Sequence, residues 1–190
     1  MVNRCKWAEH NDLMKDYHDK EWGNPQHDDK MLYELLILEG MQAGLSWNTV
    51  LQKRENFRKA LDNFDYNRIM KYSDKKIEEL MQNEGIIRNR LKIQSVITNA
   101  KSFIKVQEEF GSFNNYIWDF VNNKVVHNSW KILQNLPPNT ALSDKISKDM
   151  KKKGFKFIGT TIIYAFLQAI GVVNDHTTDC FRYSELINSS

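Results

Sequence analysis

The sequence predicts an all-α fold, from its helical periodicity, its few turn residues and its ordinary globular composition. Apolar residues recur at helical spacing in seven segments, whereas the one β-like stretch, 124–126, is too short to count as a strand. Eight glycines and three prolines in 190 residues are too few for a turn-rich all-β sandwich. Hydrophobic residues make up 41% and charged residues 27%, a composition typical of ordered chains rather than disordered ones.

Serine residues stand where several of the expected helices begin. The helices are expected over 32–39, 47–61, 74–81, 93–104, 113–121, 143–150 and 162–170. Ser46, Ser73 and Ser112 directly precede three of them and are typical N-cap residues, and Ser143 is expected to begin another. Gly171 follows the last helix and suits a C-terminal stop.

Length and charge indicate one helical domain with a mildly basic surface. The 190 residues fit a single domain over 1–183, in two helical lobes that the proline- and asparagine-containing segment 122–141 would separate. Residues 184–190 are expected to form a frayed tail. The net charge of +3 excludes a histone-like polycation but permits a local basic patch.

Targeting and redox features predict a reduced, cytoplasmic protein with no membrane partner. No apolar signal segment stands at the N-terminus, and the longest strongly apolar stretch, 162–167, is far shorter than the ~20 residues of a membrane helix. The only two cysteines, Cys5 and Cys180, lie at opposite ends of the chain, which excludes a disulfide framework.

Glu39 is the most informative single residue. It lies on the apolar face of its expected helix, so its carboxylate must be hydrogen-bonded or neutralised there. One interpretation is a buried glutamate paired with an arginine or a backbone amide. The other is a pocket carboxylate that binds a cationic or amino-bearing ligand. The nearby rings of Tyr17, Trp22 and Trp47 would suit a flat cation, although each ring alone is typical of a core.

A glycine-bounded turn before the last expected helix is a candidate phosphate site. The segment 154–161 opens that helix and would expose backbone N–H groups to a phosphate. Five lysines lie in the nine residues 148–156. Such a run is usually a solvated helix face, but beside a helix–turn–helix element it favours contact with the DNA backbone.

Two pairs of metal-ligand residues stand at the two ends of the chain. His176 and Cys180 are four residues apart, while Cys5 and His18 lie near the N-terminus. Together they could form a tetrahedral zinc site that joins the chain ends. Because the sequence has no CxxC pair, two free cysteines and ordinary histidines are the alternative. The histidines without such a partner, expected at the surface, are His10, His27 and His127.

Several blocks of the sequence are specific rather than generic. They are RCKW at 4–7, YHDKEWG at 17–23, LEGMQAGLSW at 38–47, KR at 53–54, FD at 64–65, GIIR at 85–88, GFKFIGTT at 154–161 and NDH at 174–176. In these blocks, which span most of the chain, the sequence resembles the bacterial 3-methyladenine DNA glycosylase I family of the helix-hairpin-helix glycosylase superfamily. The resemblance implies a glycosylase fold with its helix-hairpin-helix element at about 143–171 and a structural zinc site that joins the terminal segments.

The resemblance also implies roles for individual residues. One structural Zn²⁺ per chain would be held by Cys5, His18, His176 and Cys180. Glu39 would be the catalytic residue that contacts the excised base, with a base sandwich and pocket made by Tyr17, Trp47, Trp7 and Trp22. The residues that contact DNA would be Gly44, Leu45, Lys156, Phe157, Gly159 and Thr160. Gly44 and Leu45 would fill the space left by the flipped nucleotide, and the hairpin 155–159 would hold the DNA backbone.

Three further positions bear on base binding and on the type of reaction that the resemblance implies. Met14 stands where a tyrosine can line the pocket in the family, which would loosen base binding. Thr161 stands where bifunctional members of the superfamily carry a Schiff-base lysine, which argues against lyase activity. Asp175 lies close to the position of the superfamily's catalytic aspartate and is a candidate for activating water.

The implied function is monofunctional base excision by a monomer. The protein would flip 3-methyladenine out of alkylated double-stranded DNA and release the free base by hydrolysis, leaving an abasic site. The methylated base carries a positive charge and leaves as a neutral molecule, so little acid catalysis is needed. Two alternatives remain at this point: a non-catalytic damaged-DNA-binding module, and a helical zinc protein unrelated to DNA.

Overall fold

The computed structural model describes residues 2–189, and the chain is mostly helical there, as the sequence predicts. The helices are α1 (Asp12–Lys20), α2 (Asp29–Gln42), α3 (Trp47–Gln52), α4 (Arg54–Ala60), α5 (Tyr66–Ile69), α6 (Asp74–Gln82), α7 (Arg90–Phe110), α8 (Phe113–Asp119), α9 (Ala141–Lys152), α10 (Thr160–Ala169) and α11 (Phe181–Asn188). The strands β1 (Val126–His127) and β2 (Val173–Asn174) form one short parallel pair. Across the described residues, no helix combines the length and apolar character needed to span a bilayer.

Helix α2 is the centre of the molecule. Every residue from Leu32 to Met41 is buried, so the helix is enclosed on all sides rather than along one face. It packs against α3, α7, α8 and α10. Asp28 caps its first turn by accepting a hydrogen bond from the Met31 N–H at 2.9 Å. This enclosure carries Glu39, near the C-terminal end of α2, into the interior.

Most of the expected helix starts are confirmed, and two expectations are wrong in detail. Ser46, Ser73 and Ser112 each accept the capping hydrogen bond of the following helix. The expected helix 47–61 is interrupted at Lys53, where α3 ends and α4 begins. Helix α9 is capped by Thr140 instead of Ser143, because the two residues bond reciprocally in a capping box.

The C-terminal segment also differs from its expected frayed form. Residues 184–188 belong to α11, whose Leu186 side chain is buried. The start of this helix is tied to the other end of the chain, because the Phe181 N–H donates to the Asn3 carbonyl at 2.9 Å. Residue 190 lies outside the described part of the chain, and the boundary between two lobes within 122–141 stays a prediction.

The connection between α9 and α10 is a short turn held from outside by α7. Asn99 on α7 donates to the Lys156 carbonyl at 3.0 Å and accepts from the Lys156 N–H at 2.8 Å. Phe155 and Ile158 are buried beneath the turn. Phe157 at its tip has a left-handed backbone, with φ of 53°. The turn 153–159 is therefore fixed in shape although it lies at the surface.

The glycine that follows α10 gives a direct test of how closely residue 171 packs against the backbone of residue 24. Gly171 has φ of +71°, and a Cβ there would lie 2.3 Å from the carbonyl carbon of Asn24. Gly111 has a similar φ of +84° but a Cβ there would meet only the Asn115 amide, at 3.4 Å. We expect Gly111→Ala to lower the free energy of unfolding by about 1–2 kcal/mol, from backbone strain alone.

Gly171→Ala is expected to lower it by at least about 2 kcal/mol more, because the two backbone segments must move apart. Urea unfolding of the two variants measures the difference. Equal losses in both would contradict the close approach of residues 24 and 171.

Candidate active site

A cavity of about 240 Å³ opens beside the C-terminal half of α2. Its wall is largely aromatic and apolar, and consists of Trp7, Met14, Tyr17, Trp22, Glu39, Gln42, Trp47, Leu133, Leu136, Ala165 and Gln168. The five residues predicted to bind the base all lie in this wall, although they come from four separate parts of the chain. The cavity therefore brings together what the resemblance implies.

Unpaired polar atoms are concentrated on this wall. Five buried side-chain polar atoms of the described residues have no hydrogen-bond partner, and three of these belong to cavity residues. The three are the Tyr17 hydroxyl, Glu39 Oε2 and Trp47 Nε1. Because an unmade buried hydrogen bond costs about 1–3 kcal/mol, such atoms call for a ligand that supplies the partners.

The Glu39 carboxyl is buried without a counter-ion. Burial raises its pKa to about 8, so the carboxyl is mainly protonated at neutral pH. The buried guanidinium of Arg54 is paired with other carboxylates, namely Glu34 at 2.6 Å and Glu21 at 2.8 Å. Of the two interpretations left open by the sequence, the structure favours a pocket carboxyl over a glutamate paired with arginine.

The Tyr17 and Trp47 rings lie close together and are strongly inclined to each other. Their ring centroids are 5.2 Å apart and the rings are inclined by 46°. A purine between two faces needs about 3.5 Å on each side, or roughly 7 Å in all. The two rings therefore form one wall of the cavity, and a base held between them requires them to separate. Trp7 and Trp22 meet edge to face behind Tyr17, with centroids 5.1 Å apart.

A second cleft leads from Glu39 to the surface. It measures about 230 Å³ and shares Glu39, Gln42 and Ala165 with the first cavity. Its outer end lies between the turn at Gly44–Leu45 and Thr161 at the start of α10. The Leu45 side chain is 43% exposed there. The cleft thus gives a route for a flipped nucleotide from the surface, between Leu45 and Thr161, to the Glu39 carboxyl.

Of the predicted DNA-contact residues, Gly44 and Leu45 line this cleft, and the others lie in the turn 153–159 and at the start of α10. Lys156 is exposed, and Gly159 begins α10 without a side-chain cap, so the first N–H groups of this helix are open to a phosphate. The Thr160 hydroxyl is engaged with Asp144 at 2.6 Å and Ser143 at 2.8 Å. Thr160 can therefore offer an anion its backbone N–H but not its side chain.

The lysine run on α9 is mostly free to meet an anion. One member, Lys153, is paired with Glu109 at 2.9 Å and lies over the Phe110 ring. The exposed members that form no ion pair within the described chain are Lys148, Lys151, Lys152 and Lys156. The basic surface is thus carried by four side chains beside the turn.

Four buried ligand atoms from the two chain ends converge on one point. One atom from each of Cys5, His18, His176 and Cys180 lies within 4.8 Å of the others. The Cys5 and Cys180 sulfurs lie 3.6 Å and 3.5 Å from His176 Nδ1, and Cys180 Sγ lies 3.5 Å from His18 Nε2. A tetrahedron with the usual zinc–sulfur and zinc–nitrogen lengths has S···N edges of about 3.6 Å, so the residues fit a metal of that size.

Neighbouring groups orient both histidines toward the sulfurs. His18 Nδ1 bonds Asp19 at 2.8 Å, which turns its Nε2 toward Cys180. His176 Nε2 bonds the Trp22 carbonyl at 3.1 Å, which turns its Nδ1 toward both cysteines. Such outer partners are usual around bound metals. The histidines predicted at the surface do not join the cluster: His10 and His27 are exposed, while His127 is half-buried.

Asp175 is a structural residue, contrary to its candidacy for activating water. It is 1% exposed and lies outside both cavity walls. Its carboxylate accepts hydrogen bonds from four side chains, namely Asn128 at 2.6 Å, Trp130 and Gln168 each at 2.8 Å, and Tyr164. With its acceptor sites filled, it ties the loop around β1 to α10.

Sequence reasoning missed five residues of the cavity wall, namely Gln42, Leu133, Leu136, Ala165 and Gln168. Gln42 stands one turn after Glu39, so helical spacing could have indicated it. Gln168 lies on the face of α10 that also carries Ala165. Leu133 and Leu136 come from the irregular segment before α9, where the sequence carries no periodicity that would predict their position.

Known proteins similar to this chain point to one family. A family model described as methyladenine glycosylase matches residues 7–183. The chain is 45% identical over 180 residues to a DNA-3-methyladenine glycosylase of Haemophilus influenzae, covering 95% of this chain and 97% of that protein. The crystal structure of a 3-methyladenine DNA glycosylase I has a TM-score of 0.92 and 46% identity, covering 94% of this chain and 98% of that one. A variant of 3-methyladenine DNA glycosylase I in complex with 3-methyladenine has a TM-score of 0.91 and 31% identity, covering 95% and 97%. This chain therefore belongs to the methyladenine glycosylase family.

Proposed function

We propose that this protein hydrolyses the N-glycosidic bond of 3-methyladenine in alkylated double-stranded DNA, releasing the free base and leaving an abasic site. One observation carries the proposal: an aromatic cavity whose unpaired polar atoms include a buried carboxyl without a counter-ion. The family membership and the 3-methyladenine complex of a relative support the same activity.

The cavity suits a base that carries positive charge while it is bonded to the sugar. Aromatic faces attract a flat cation, and the positive charge of the bound base would lower the pKa of Glu39, so that the carboxyl ionises and stabilises the cation. The low dielectric of a buried site strengthens that attraction relative to water. Since the departing base becomes neutral, Glu39 acts by recognising the cation and orienting it rather than by donating a proton.

DNA would be held by α9, the turn 153–159 and α10 acting as the helix-hairpin-helix element. Open N–H groups at the start of α10 and the free lysines of α9 supply phosphate contacts. Leu45 would enter the base stack and fill the space left by the flipped nucleotide. Gly44 allows this approach, because its φ of +77° suits glycine and no atom lies within 4 Å of its Cβ position.

Strand cleavage is not expected to follow. Neither cavity wall contains a lysine among the described residues, so no amine reaches the sugar to form a Schiff base. Thr161 occupies the wall of the outer cleft at the start of α10. This arrangement supports a monofunctional enzyme whose attacking group is water.

The metal of the Cys/His cluster is proposed to be one structural Zn²⁺ per chain. Two thiolates and two imidazoles are the donor set that zinc prefers, and four protein ligands leave no position for a catalytic water. The hydrogen bond between the two thiols lowers the pKa of Cys180 and raises that of Cys5, so one thiolate is favoured before a metal binds and the other would form as it binds. When bound, the ion supplies a cross-link between chain ends that are distant in sequence.

Base release from methylated duplex DNA tests the activity. We expect the wild type to release 3-methyladenine without breaking the strand, as seen by chromatography of the bases and gel analysis of the DNA. Glu39→Gln should slow release by about a hundredfold, because one preorganised electrostatic group is lost, while duplex affinity changes little. Glu108→Gln, at an exposed position of α7, is the matched control. A folded wild type that releases no base would favour a binding module instead.

The ionisation of Glu39 predicts a difference in stability that depends on pH. The carboxyl has a pKa of about 8 in the fold against an ordinary value of 4.5, so raising the pH between these values favours the unfolded state. Glutamine does not titrate. Glu39→Gln is therefore expected to gain stability over the wild type from pH 5 to pH 8, by on the order of 4 kcal/mol at full ionisation. Parallel curves of unfolding free energy against pH would contradict a buried, unpaired carboxyl.

Metal removal tests the zinc proposal without an activity assay. We expect one zinc per chain by elemental analysis, and a fall in melting temperature when a chelator removes it. His18→Ala should lose most of the metal, whereas His10→Ala, at an exposed position, should keep it. A purified protein that contains no metal and melts identically with chelator would overturn the proposal.

A further inference from the structure

Lys92 is a buried lysine with no carboxylate partner among the described residues. It stands in the first turn of α7 and is only 6% exposed. Burial lowers its pKa, since nothing nearby offsets the loss of solvent. Lysine is rarely buried unless it is paired, so this position needs a reason.

Both hydrogen bonds of Lys92 go to the end of the helix that carries Glu39. Its Nζ donates to the Met41 carbonyl at 2.8 Å and to the Ala43 carbonyl at 2.6 Å. Carbonyls at a helix C-terminus lack intrahelical partners and carry partial negative charge. Lys92 therefore acts as a C-cap of α2 that comes from a different helix, 49 residues away from Ala43.

The turn beyond that cap has few other contacts to hold it. The Leu45 N–H donates to the Gln42 carbonyl at 2.6 Å, and the Ser46 side chain caps α3 on the far side. Gly44 between them has no neighbouring atom within 4 Å of its Cβ position, and the Leu45 side chain is exposed. The two bonds from Lys92 are thus the main restraint that reaches this turn from the body of the protein.

We propose that Lys92 is a positioning residue for base flipping. It fixes the turn 43–45 so that the Leu45 side chain is correctly placed to enter the base stack of the DNA. This inference rests on the proposed function, in which Leu45 fills the space left by the nucleotide. A turn that is already ordered loses less conformational entropy when it inserts, and a small displacement of an inserted group is costly. Lys92 does not line either cavity, so it acts through the turn and not on the base.

A double-mutant cycle between Lys92 and Leu45 tests the proposal. Lys92→Met keeps the length of the side chain and removes its donors, and Leu45→Ala removes the inserted group. The single-turnover rate of 3-methyladenine release from duplex DNA is measured for the wild type, both single variants and the double variant. Affinity for free 3-methyladenine, followed by tryptophan fluorescence, reports on the cavity alone. Lys101→Met, at an exposed position of the same helix, is the control.

Each single variant is expected to slow release by about tenfold to a hundredfold, with the affinity for the free base changed by less than about twofold. Both changes disrupt the same step, which is the insertion of Leu45 into the DNA. The double variant should therefore release the base no more slowly than the slower single variant, within about threefold. Lys92→Arg, which keeps N–H donors, should recover part of the rate. If Lys92→Met fails to fold, Lys92→Gln takes its place in the cycle.

Several results would overturn the inference. Multiplicative losses in the double variant would show that the two residues act independently. Equal losses of release rate and free-base affinity would assign Lys92 a merely structural role in the cavity. An unchanged rate of base release in either single variant would show that the turn 43–45 has no role in base flipping. Failure of the wild type itself to release the base would instead overturn the proposed function.

Discussion

The burial of the Glu39 carboxyl without a counter-ion is the constraint on which the site depends. The carboxyl is held inside because α2 is enclosed along ten consecutive residues, from Leu32 to Met41. The buried guanidinium of Arg54 is held by two other glutamates and forms no ion pair with it. The protein thus accepts an energetic cost in its free form, and a cationic base that enters the cavity would remove it. Such storage of unfavourable interactions is typical of functional sites.

The Cys/His cluster lies directly beside the cavity wall. Cys5 lies two residues before Trp7, and His18 directly follows Tyr17. His176 Nε2–H donates a hydrogen bond to the Trp22 carbonyl, so each of these three ligands is coupled to a cavity ring. A bound ion would hold together the two chain ends that carry these residues. A structural metal here would also help to hold the shape of the cavity, without taking part in the chemistry.

The sequence predicts helix starts and their caps well, but it predicts contacts between residues far apart in the chain poorly. Helix caps at Ser46, Ser73 and Ser112 follow from short-range chemistry and are confirmed. Residue type alone raised the possibility that Cys5 meets His176, 171 residues away, and only the family resemblance favoured that site over free cysteines and ordinary histidines. The tilt between Tyr17 and Trp47 and the saturation of Asp175 depend on packing between elements, which periodicity does not describe. Lys92 gave no signal, since a lysine in a first helical turn is ordinary until its carbonyl partners are known.

A crystal structure of this protein with 3-methyladenine bound would test the central claim most directly. The expected result is a base in the cavity beside Trp47, with one of its nitrogen atoms about 3 Å from Glu39 Oε2. The Tyr17 and Trp47 rings would have moved apart if the base lies between them. A base bound outside this cavity, or a Glu39 carboxyl still without a partner, would contradict the account.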